Sequence, residues 1–393
     1  MLKKLLLVVV ALSLLIPAVA CAPAVEEEVP PLKIGHLNSF TGDLSDFGGA
    51  HRNATQLAAD HMNIAGGVLG SPVIIVARDT ATTPLQGVDA ASALVDVENV
   101  VAIVGALSSG VTIASAQSVT IPNRILQISA ASTSPGITVL DDDDFLFRTT
   151  VSDAVQGVIL ARLALELGYN SASAIYVNNA YGQGLAEQFK ETFEAEGGTV
   201  LELVPHEMVQ PTYASELSLA IEGNPDVLVC ISYPESAQIY LREALEGAYI
   251  DTFLFCEGTY GTAAGSAVTE IRLAFESAYE ASFAVLPPLP YIDTTYDAVV
   301  LIALAAAKAG TTTDSAAIRD ALRDVANPPG EVVGPGVDSI ERALELIALG
   351  EDINYEGAGG SHDFDENGDV ISTIEIWKIE NGKIVSTGRY ELP

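Results

Sequence analysis

Short apolar runs alternate along the chain with stretches whose apolar residues recur at helical spacing. In the first half the runs are LKIGHL, PVIIVARD, VVAIVGA and RILQISA. Between the first two runs, Ala54, Leu57, Ala58, Ile64 and Ala65 share one helical face. Strands that alternate with amphipathic helices are typical of an α/β fold with a doubly wound parallel sheet.

The same alternation starts again after the segment FLFRTTVSD. The apolar runs are now ASAIYVNN, TVLELVP, DVLVCISY and TFLFCEG, separated by helical patterns at residues 156–167, 185–194 and 236–245. The sequence therefore predicts two α/β lobes, each built on its own central parallel sheet.

The pattern changes toward the C-terminus. Helical patterns at residues 297–308, 315–325 and 338–349 precede two alternating strands, VISTIEIWKI and KIVSTGRYEL, which are joined by ENG as in a hairpin. If the helices return to the first lobe and the hairpin to the second, the chain crosses three times and encloses a cleft. We predict a first lobe of residues 32–150 and 290–355, and a second lobe of residues 151–289 and 356–393.

The N-terminus has the layout of an export signal. MLKKLLLVVVALSLLIPAVAC combines two lysines, an apolar stretch and small residues before Cys21. The small residues resemble a bacterial lipobox, which predicts a signal over residues 1–21 and acylation of Cys21; the alternative is ordinary export with Cys21 lost or unmodified. The Pro-rich, acidic residues 22–31 predict a tether. The folded part should lie outside the cytoplasm, either anchored to the outer face of the bacterial cytoplasmic membrane or periplasmic.

Acidic residues dominate the charge. The full chain has a formal charge of −34, and the signal contains two lysines and no acid, so its removal leaves −36. Such a field repels nucleic acid and anionic lipid headgroups, so no nucleic-acid partner is expected. Solubility and a saline habitat explain the acidity equally well.

Two cysteines follow the signal. Cys230 and Cys256 each lie at the end of a short apolar run. An exported protein can form a disulfide between such residues. Buried thiols are the alternative, because neighbouring parallel strands rarely bring two Cβ atoms into bridging geometry.

Enzymatic motifs are incomplete in this chain. Gly105 and Gly110 have the spacing of a phosphate-binding loop, but Val111 occupies the position of its lysine. The sequence has no G-x-S-x-G elbow, and its five histidines lie outside a recognisable triad context. We therefore predict neither an enzymatic activity nor a cofactor.

Two loops after apolar runs are rich in hydroxyl residues. In VGALSSGVTIASAQ, Ser108 and Ser109 directly precede a helical pattern, where free amides favour an anion such as a carboxylate. Ser109 could instead simply cap the helix. ISAASTSPG places Ser132 and Thr133 at the same predicted sheet edge, where α/β proteins bind ligands.

The second half offers matching positions. Tyr181 in NNAYGQG, Ser232 and Tyr233 in ISYPES, and Glu257 in FCEGTYG each follow an apolar run. All should face the cleft from the second sheet. Glu257 could pair with an ammonium group or could be a solvated turn acid.

These blocks together resemble a known family. The segments IGHLNSFTGDLSDFGGAHRNATQLAADHMNIAGGVLG, VGALSSGVTIASAQ, ISAASTSP, FLFRTTVSDAVQG, YVNNAYGQGLAEQF and YEGAGGSHDFDENGDV are similar to the type I periplasmic binding proteins of branched-chain amino acid ABC transporters, from about residue 32 to the end. The resemblance implies that Ser109 and the loop with Thr133 hold an α-carboxylate, that Glu257 takes the ammonium, and that Phe47 and Tyr181 line the pocket.

The resemblance also implies a function, and the sequence differs from the family at two positions. A monomeric receptor would capture a branched-chain or other neutral L-amino acid and deliver it to a permease driven by a cytoplasmic ATPase. A sensor component, or a receptor for urea, a short amide or an aromatic acid, are the alternatives. Ser232 stands where leucine-type receptors carry Tyr, which puts side-chain specificity in doubt. Ser108 replaces a disulfide cysteine of those receptors, so that bridge cannot form.

Acidic loops raise the question of a metal. DFDENGD begins like a calcium-binding EF-hand loop, but Ile374 takes the place of the bidentate glutamate and Glu375 comes one position late. We predict a solvated turn here and at residues 141–144, and no metal site. His61, one helical turn after Leu57, is predicted to be a hydrogen-bonded, partly buried side chain.

The lipobox generates the first testable prediction. Intact-mass analysis of protein extracted from the membranes of a bacterial host should show an acylated N-terminus at Cys21. A Cys21→Ala variant is the control and should lose the acyl mass. A soluble mature form cut at another residue would contradict the prediction.

Overall fold

The computed structural model describes residues 28–255, 260–265, 269–287, 289–380 and 383–392. A parallel five-stranded sheet, in the order β2-β1-β3-β4-β5, forms the centre of the first lobe. Its strands are β1 (Leu32–Asn38), β2 (Val73–Asp79), β3 (Ala102–Gly105), β4 (Leu126–Ser129) and β5 (Leu146–Arg148). The first four strands confirm the strands that the apolar runs predicted, whereas β5 was not predicted.

Helices cover both faces of this sheet. Those that connect its strands are α1 (Ser45–Ile64), α2 (Pro84–Ser92), α3 (Ser109–Ser115) and α4 (Pro135–Thr138). One π turn extends α2 over Ala93–Val97, and another extends α3 over Ala116–Thr120. The helix that begins at Ser109 therefore runs without a break to Thr120.

The second lobe has a parallel sheet in the order β7-β6-β8-β9. Its strands are β6 (Ser171–Val177), β7 (Thr199–His206), β8 (Val227–Ile231) and β9 (Phe253–Leu254). They alternate with α5 (Asp153–Glu166), α6 (Ala180–Ala195), α7 (Ala214–Ala220) and α8 (Pro234–Glu246). The doubly wound, two-lobed α/β prediction is confirmed. Cys230 is buried in β8, and Cys256, with which the sequence left a disulfide open, lies outside the described residues.

An antiparallel sheet, β10-β14-β15, completes the second lobe. Its strands are β10 (Tyr260–Ala264), β14 (Ile374–Glu380) and β15 (Lys383–Glu391). The predicted C-terminal strands thus pair with each other. Ile374 and Ile376 of β14 are buried in the core formed by α5 and the parallel sheet, as the assignment of the hairpin to the second lobe required.

The remaining elements belong to the first lobe. They are α9 (Glu270–Phe283), α10 (Ile292–Ala309), α11 (Ser315–Ala326), β11 (Glu331–Val333), α12 (Val337–Leu349), β12 (Ile353–Gly357) and β13 (Gly360–Ser361). Helix α10 is apolar on nearly every side because it is buried in the centre of the lobe. Among the described residues, no helix is both long and apolar enough to cross a bilayer.

Two of the predicted lobe boundaries are wrong. Helix α9, placed in the second lobe by the sequence, packs on the first lobe, where the Tyr279 hydroxyl donates to the carbonyl of Ala50 at 3.2 Å. The first lobe also continues beyond residue 355, since the ring of Phe364 packs on Phe147 with centroids 5.2 Å apart.

Three crossings nevertheless join the lobes, as predicted. The first and third fall at residues 149–152 and 371–373. The second follows from the described residues on either side of it, since β10 ends in the second lobe at Ala264 and α9 packs on the first lobe from Glu270. The last two lie side by side, because the Thr373 hydroxyl donates to the carbonyl of Gly265 at 2.7 Å. These crossings form the hinge.

The acidic loops are fixed by hydrogen bonds within the protein. The Asp365 carboxylate accepts the amides of Asn367 at 2.8 Å and Asp369 at 3.0 Å. The Asp144 carboxylate accepts hydrogen bonds from both terminal guanidinium nitrogens of Arg323, each at 2.9 Å. The prediction of a solvated turn is wrong for Asp369, which is buried. His61 bonds to the Tyr296 hydroxyl at 2.7 Å, in keeping with its predicted structural role.

Candidate ligand-binding site

The carboxyl ends of the strands in both parallel sheets face the space between the lobes. One cavity of about 590 Å³ occupies this space, a size that suits a small organic ligand. Its lining includes five of the residues singled out from the sequence: Phe47, Ser109, Thr133, Tyr181 and Tyr233.

Ser109 offers a hydrogen to the cavity. It is the first residue of α3, where backbone amides have no carbonyl partner within the helix. Its side-chain oxygen accepts the amide of Ser134 at 3.3 Å. Because the oxygen already accepts one hydrogen bond, the hydroxyl proton is available to a ligand.

The Thr133 hydroxyl has the opposite hydrogen-bonding role, that of an acceptor. It donates to Asp153 Oδ2 at 2.6 Å, so the remaining capacity of this oxygen is to accept. The neighbouring Ser132 is turned away from the cavity: its hydroxyl lies 2.8 Å from that of Thr112 and donates to the carbonyl of Ala106 at 3.1 Å. Ser132 therefore shapes the loop rather than lining the cavity.

Asp153 is the hydrogen-bond partner of Thr133, and it was not predicted as a site residue from the sequence. It begins α5, is 0% exposed, and its Oδ1 atom has no hydrogen-bond partner among the described residues. Burial raises the pKa of its carboxyl to about 7, although the Thr133 hydrogen bond and the charge of Arg148 both act to lower it. The arrangement leaves one carboxylate oxygen without a donor, beside a hydroxyl that can only accept.

An aromatic wall faces these loops from the second lobe. The rings of Tyr181 and Tyr233 stack with centroids 5.8 Å apart and planes within 5°. The Tyr233 hydroxyl accepts from Asn179 Nδ2 at 3.2 Å and lies 3.3 Å from the Ser108 hydroxyl of the first lobe. The structure is therefore a closed form, in which Ser108 bridges the lobes.

Ser232 and Tyr233 point in different directions. The Ser232 hydroxyl lies 2.5 Å from His206 Nε2 and does not line the cavity, whereas the Tyr233 ring does. The cavity lining therefore contains the tyrosine at residue 233 and not the serine at residue 232.

Charged side chains line the hinge side of the cavity. Arg272 of α9 forms ion pairs with Glu276 at 3.0 Å and Asp293 at 3.2 Å. Trp377 of β14 lies on the same side. No local sequence pattern predicts that α9 lies here, because its position depends on packing against α1. Glu257 lies outside the described residues.

Two α/β lobes that are joined by three crossings and enclose a cavity with hydroxyl and aromatic side chains define a bilobed solute-binding protein. The chain belongs to the periplasmic binding protein family, whose sequence profile matches residues 31–246. The family and the fold expected from the sequence are both confirmed.

Full-length relatives agree with this assignment. The chain is 27% identical to the chemotactic signal transduction system substrate-binding protein BasB of Halobacterium salinarum, over 92% of this chain and 91% of that protein. It is also 27% identical to the Leu/Ile/Val-binding protein BraC3 of Rhizobium johnstonii, over 95% and 97% of the two chains. The solved leucine-binding protein LivK of Thermotoga maritima superimposes with a TM-score of 0.78 at 23% identity, covering 92% of this chain and 99% of that one.

The buried carboxyl generates a prediction about stability. Because the pKa of Asp153 is about 7 in the folded chain and 3.8 in the reference state, the folded protein retains a proton that the unfolded chain releases between these values. Stability without ligand should therefore fall as pH rises through this window. Asp153→Asn should make the free energy of unfolding less dependent on pH in this window. It should also raise the free energy of unfolding at pH 8 by roughly 1–3 kcal/mol.

Thermal unfolding of both proteins from pH 5 to pH 8 measures this effect. The control is Asp144→Asn, which removes a half-exposed acid of the first lobe. A variant Asp153→Asn with the same pH dependence as the unmodified protein would show that the carboxyl is not held at a raised pKa.

Proposed function

We propose that this protein is the receptor of an ABC importer and that it binds a zwitterionic L-amino acid in the cavity. It catalyses no reaction and presents its ligand to a membrane permease driven by a cytoplasmic ATPase. The observation that carries the proposal is the opposite polarity of two adjacent hydroxyls, Ser109 as a donor and Thr133 as an acceptor.

This polarity matches the two charged groups of an α-amino acid. The ligand carboxylate would lie at the start of α3, where the Ser109 hydroxyl, free amides and the helix dipole favour an anion. The ligand ammonium would then face Thr133 and Asp153 Oδ1, which has no hydrogen-bond partner in the part of the chain that the structure describes. An ammonium beside a buried carboxylate compensates the charge that burial destabilises.

Glu257 is proposed as a second partner of the ammonium. It follows the strand β9, whose end faces the cavity, and Phe255 two residues earlier contributes to the lining. Both acids would approach the ligand from the second-lobe side, because Asp153 begins α5 of that lobe. Ser109 and Thr133 would hold the ligand from the first lobe, so the binding groups are divided between the two lobes. Closure would bring them onto one ligand and so stabilise the closed population.

A neutral side chain fits the rest of the lining. Leu107, Phe47, Tyr181 and Tyr233 provide apolar and aromatic surface next to the two hydroxyls. Relatives named for Leu/Ile/Val and for leucine support the branched-chain amino acids as the first ligands to test. Urea, short amides and aromatic acids lack the ammonium and would leave Asp153 without a matching positive charge.

Sensing is the second candidate function. The full-length relative in Halobacterium salinarum carries a name that places it in a chemotactic signal transduction system. The same closed form could be read by a transducer instead of a permease. Uptake of labelled amino acid by cells with and without this protein separates the two, because a sensor changes behaviour without changing uptake.

The proposed setting is extracytoplasmic, with a monomeric receptor held by lipid at Cys21. Family membership supports the location. A tether over residues 22–31 would give the lobes freedom to reach a permease in the same membrane.

The ligand class can be tested by a thermal-shift panel. Neutral L-amino acids should raise the unfolding temperature, because a ligand at 100 times its dissociation constant adds roughly 2.7 kcal/mol. Urea, acetamide and benzoate are the comparison compounds. Stabilisation by one of these and by no amino acid would rule out the proposed ligand.

The role of Glu257 can be tested by calorimetry with the amino acid that stabilises best. Glu257→Gln should weaken binding by roughly 2–5 kcal/mol, since it removes one member of a buried charged pair. Ser109→Ala should weaken it by about 1 kcal/mol, because backbone amides still meet the carboxylate. Glu191→Gln changes an exposed acid on α6 outside the cavity and is the matched control. Unchanged binding by Glu257→Gln would show that Glu257 does not hold the ammonium.

A further inference from the structure

A buried ion pair lies behind the loop that carries Thr133. Arg148 ends β5 and is 0% exposed, while Asp369 belongs to the DFDENGD segment and is 8% exposed. Arg148 Nε donates to Asp369 Oδ1 and Nη2 donates to Oδ2, both at 2.6 Å. The two residues thus form a bidentate pair with little access to water.

The rest of the Arg148 guanidinium holds the loop. Nη1 donates to the carbonyl of Ser134 at 3.0 Å and to that of Ser132 at 3.5 Å, and Nη2 also donates to the Thr138 hydroxyl at 2.6 Å. Thr138 in turn donates to Asp369 Oδ2 at 2.7 Å. All five N–H groups of the guanidinium are therefore used.

These bonds determine which way the loop amides point. In a planar trans peptide the carbonyl and the next N–H point in opposite directions. The Ser132 carbonyl faces Arg148, so the Thr133 N–H faces away from Arg148. Thr133 itself lines the cavity. The carbonyl of Thr133 accepts the amide of Asp153 at 2.7 Å, and the following amide, of Ser134, points to Ser109.

The same pair connects the loop to the hinge. Arg148 immediately precedes the crossing at residues 149–152, and Asp369 lies two residues before the crossing at residues 371–373. The Arg148 amide also donates to the carbonyl of Gly368 at 3.0 Å. Gly368 has a φ of +72°, and a Cβ there would lie 2.7 Å from the carbonyl oxygen of Leu146, so glycine permits this approach.

We propose that Asp369 is a positioning residue for the ligand carboxylate: through Arg148 it holds the 132–134 loop with the Thr133 amide directed into the cavity. The proposal rests on the proposed amino-acid function. It gives the DFDENGD segment a role in binding without contact to ligand or metal. Asp369 supplies the charge that lets a buried arginine hold neutral carbonyls, since an unpaired guanidinium would be unstable there.

The proposal is tested with Asp369→Asn, in the full mature chain. Calorimetry compares L-leucine with L-leucinamide, which keeps the ammonium and lacks the carboxylate. The variant should weaken L-leucine binding about tenfold more than L-leucinamide binding, as expected when a charge-assisted hydrogen bond to the carboxylate is weakened. A merely structural role would weaken both ligands equally.

Hydrogen exchange without ligand provides a second readout. Residues 130–137 should exchange faster in Asp369→Asn, with α11 unchanged. Asp144→Asn is the matched control, because it breaks another bidentate arginine pair of the same lobe without contacting the loop. If Asp369→Asn does not fold, Thr138→Val removes the hydroxyl shared by Arg148 and Asp369 and should shift both readouts in the same direction.

Equal weakening of both ligands, or unchanged exchange at residues 130–137, would overturn the positioning role. An unmodified protein that binds neither L-leucine nor L-leucinamide would instead count against the proposed function. In that case the exchange experiment still decides whether Asp369 holds the loop.

Discussion

The parallel arrangement of the strands is the constraint on which the rest of the structure depends. Every strand of a parallel sheet ends at the same edge, and both lobes turn that edge toward the same space. Loops that follow β3 and β4 therefore meet loops that follow β6 and β8. The ligand site is assembled from many short segments because this geometry brings all of them together.

Much of this arrangement could be predicted from the sequence. Apolar runs separated by helical patterns identify both sheets, and residues that directly follow those runs, such as Ser109, Thr133 and Tyr181, line the cavity. These positions could be predicted without knowledge of tertiary contacts, because the loop that follows a parallel strand must begin at the carboxyl edge of the sheet. The boundaries between the lobes could not be predicted in the same way. Helix α9 joins the first lobe through contacts with α1 that no local pattern encodes.

Two details of the site show where local reasoning stops. Side chains of consecutive residues in extended backbone point to opposite sides, so Ser232 meets His206 while Tyr233 faces the cavity. Sequence position alone left this choice open. Asp153 lies in the first turn of a helix that Ser152 caps, a position that acids commonly occupy. It differs from other such acids because Thr133 of the other lobe donates to it and because its Oδ1 atom is buried with no donor among the residues that the structure describes.

The contact between Ser108 and Tyr233 affects how long a captured ligand stays bound rather than how fast it is captured. It joins the two lobes and so exists only in the closed form. A ligand that approaches the open receptor does not encounter it, and the rate of capture is independent of it. Escape requires the contact to break, so it lengthens the residence of a captured ligand. A single bond between two neutral hydroxyls is a modest barrier, and a membrane partner that separates the lobes can remove it without competing for the ligand's own contacts.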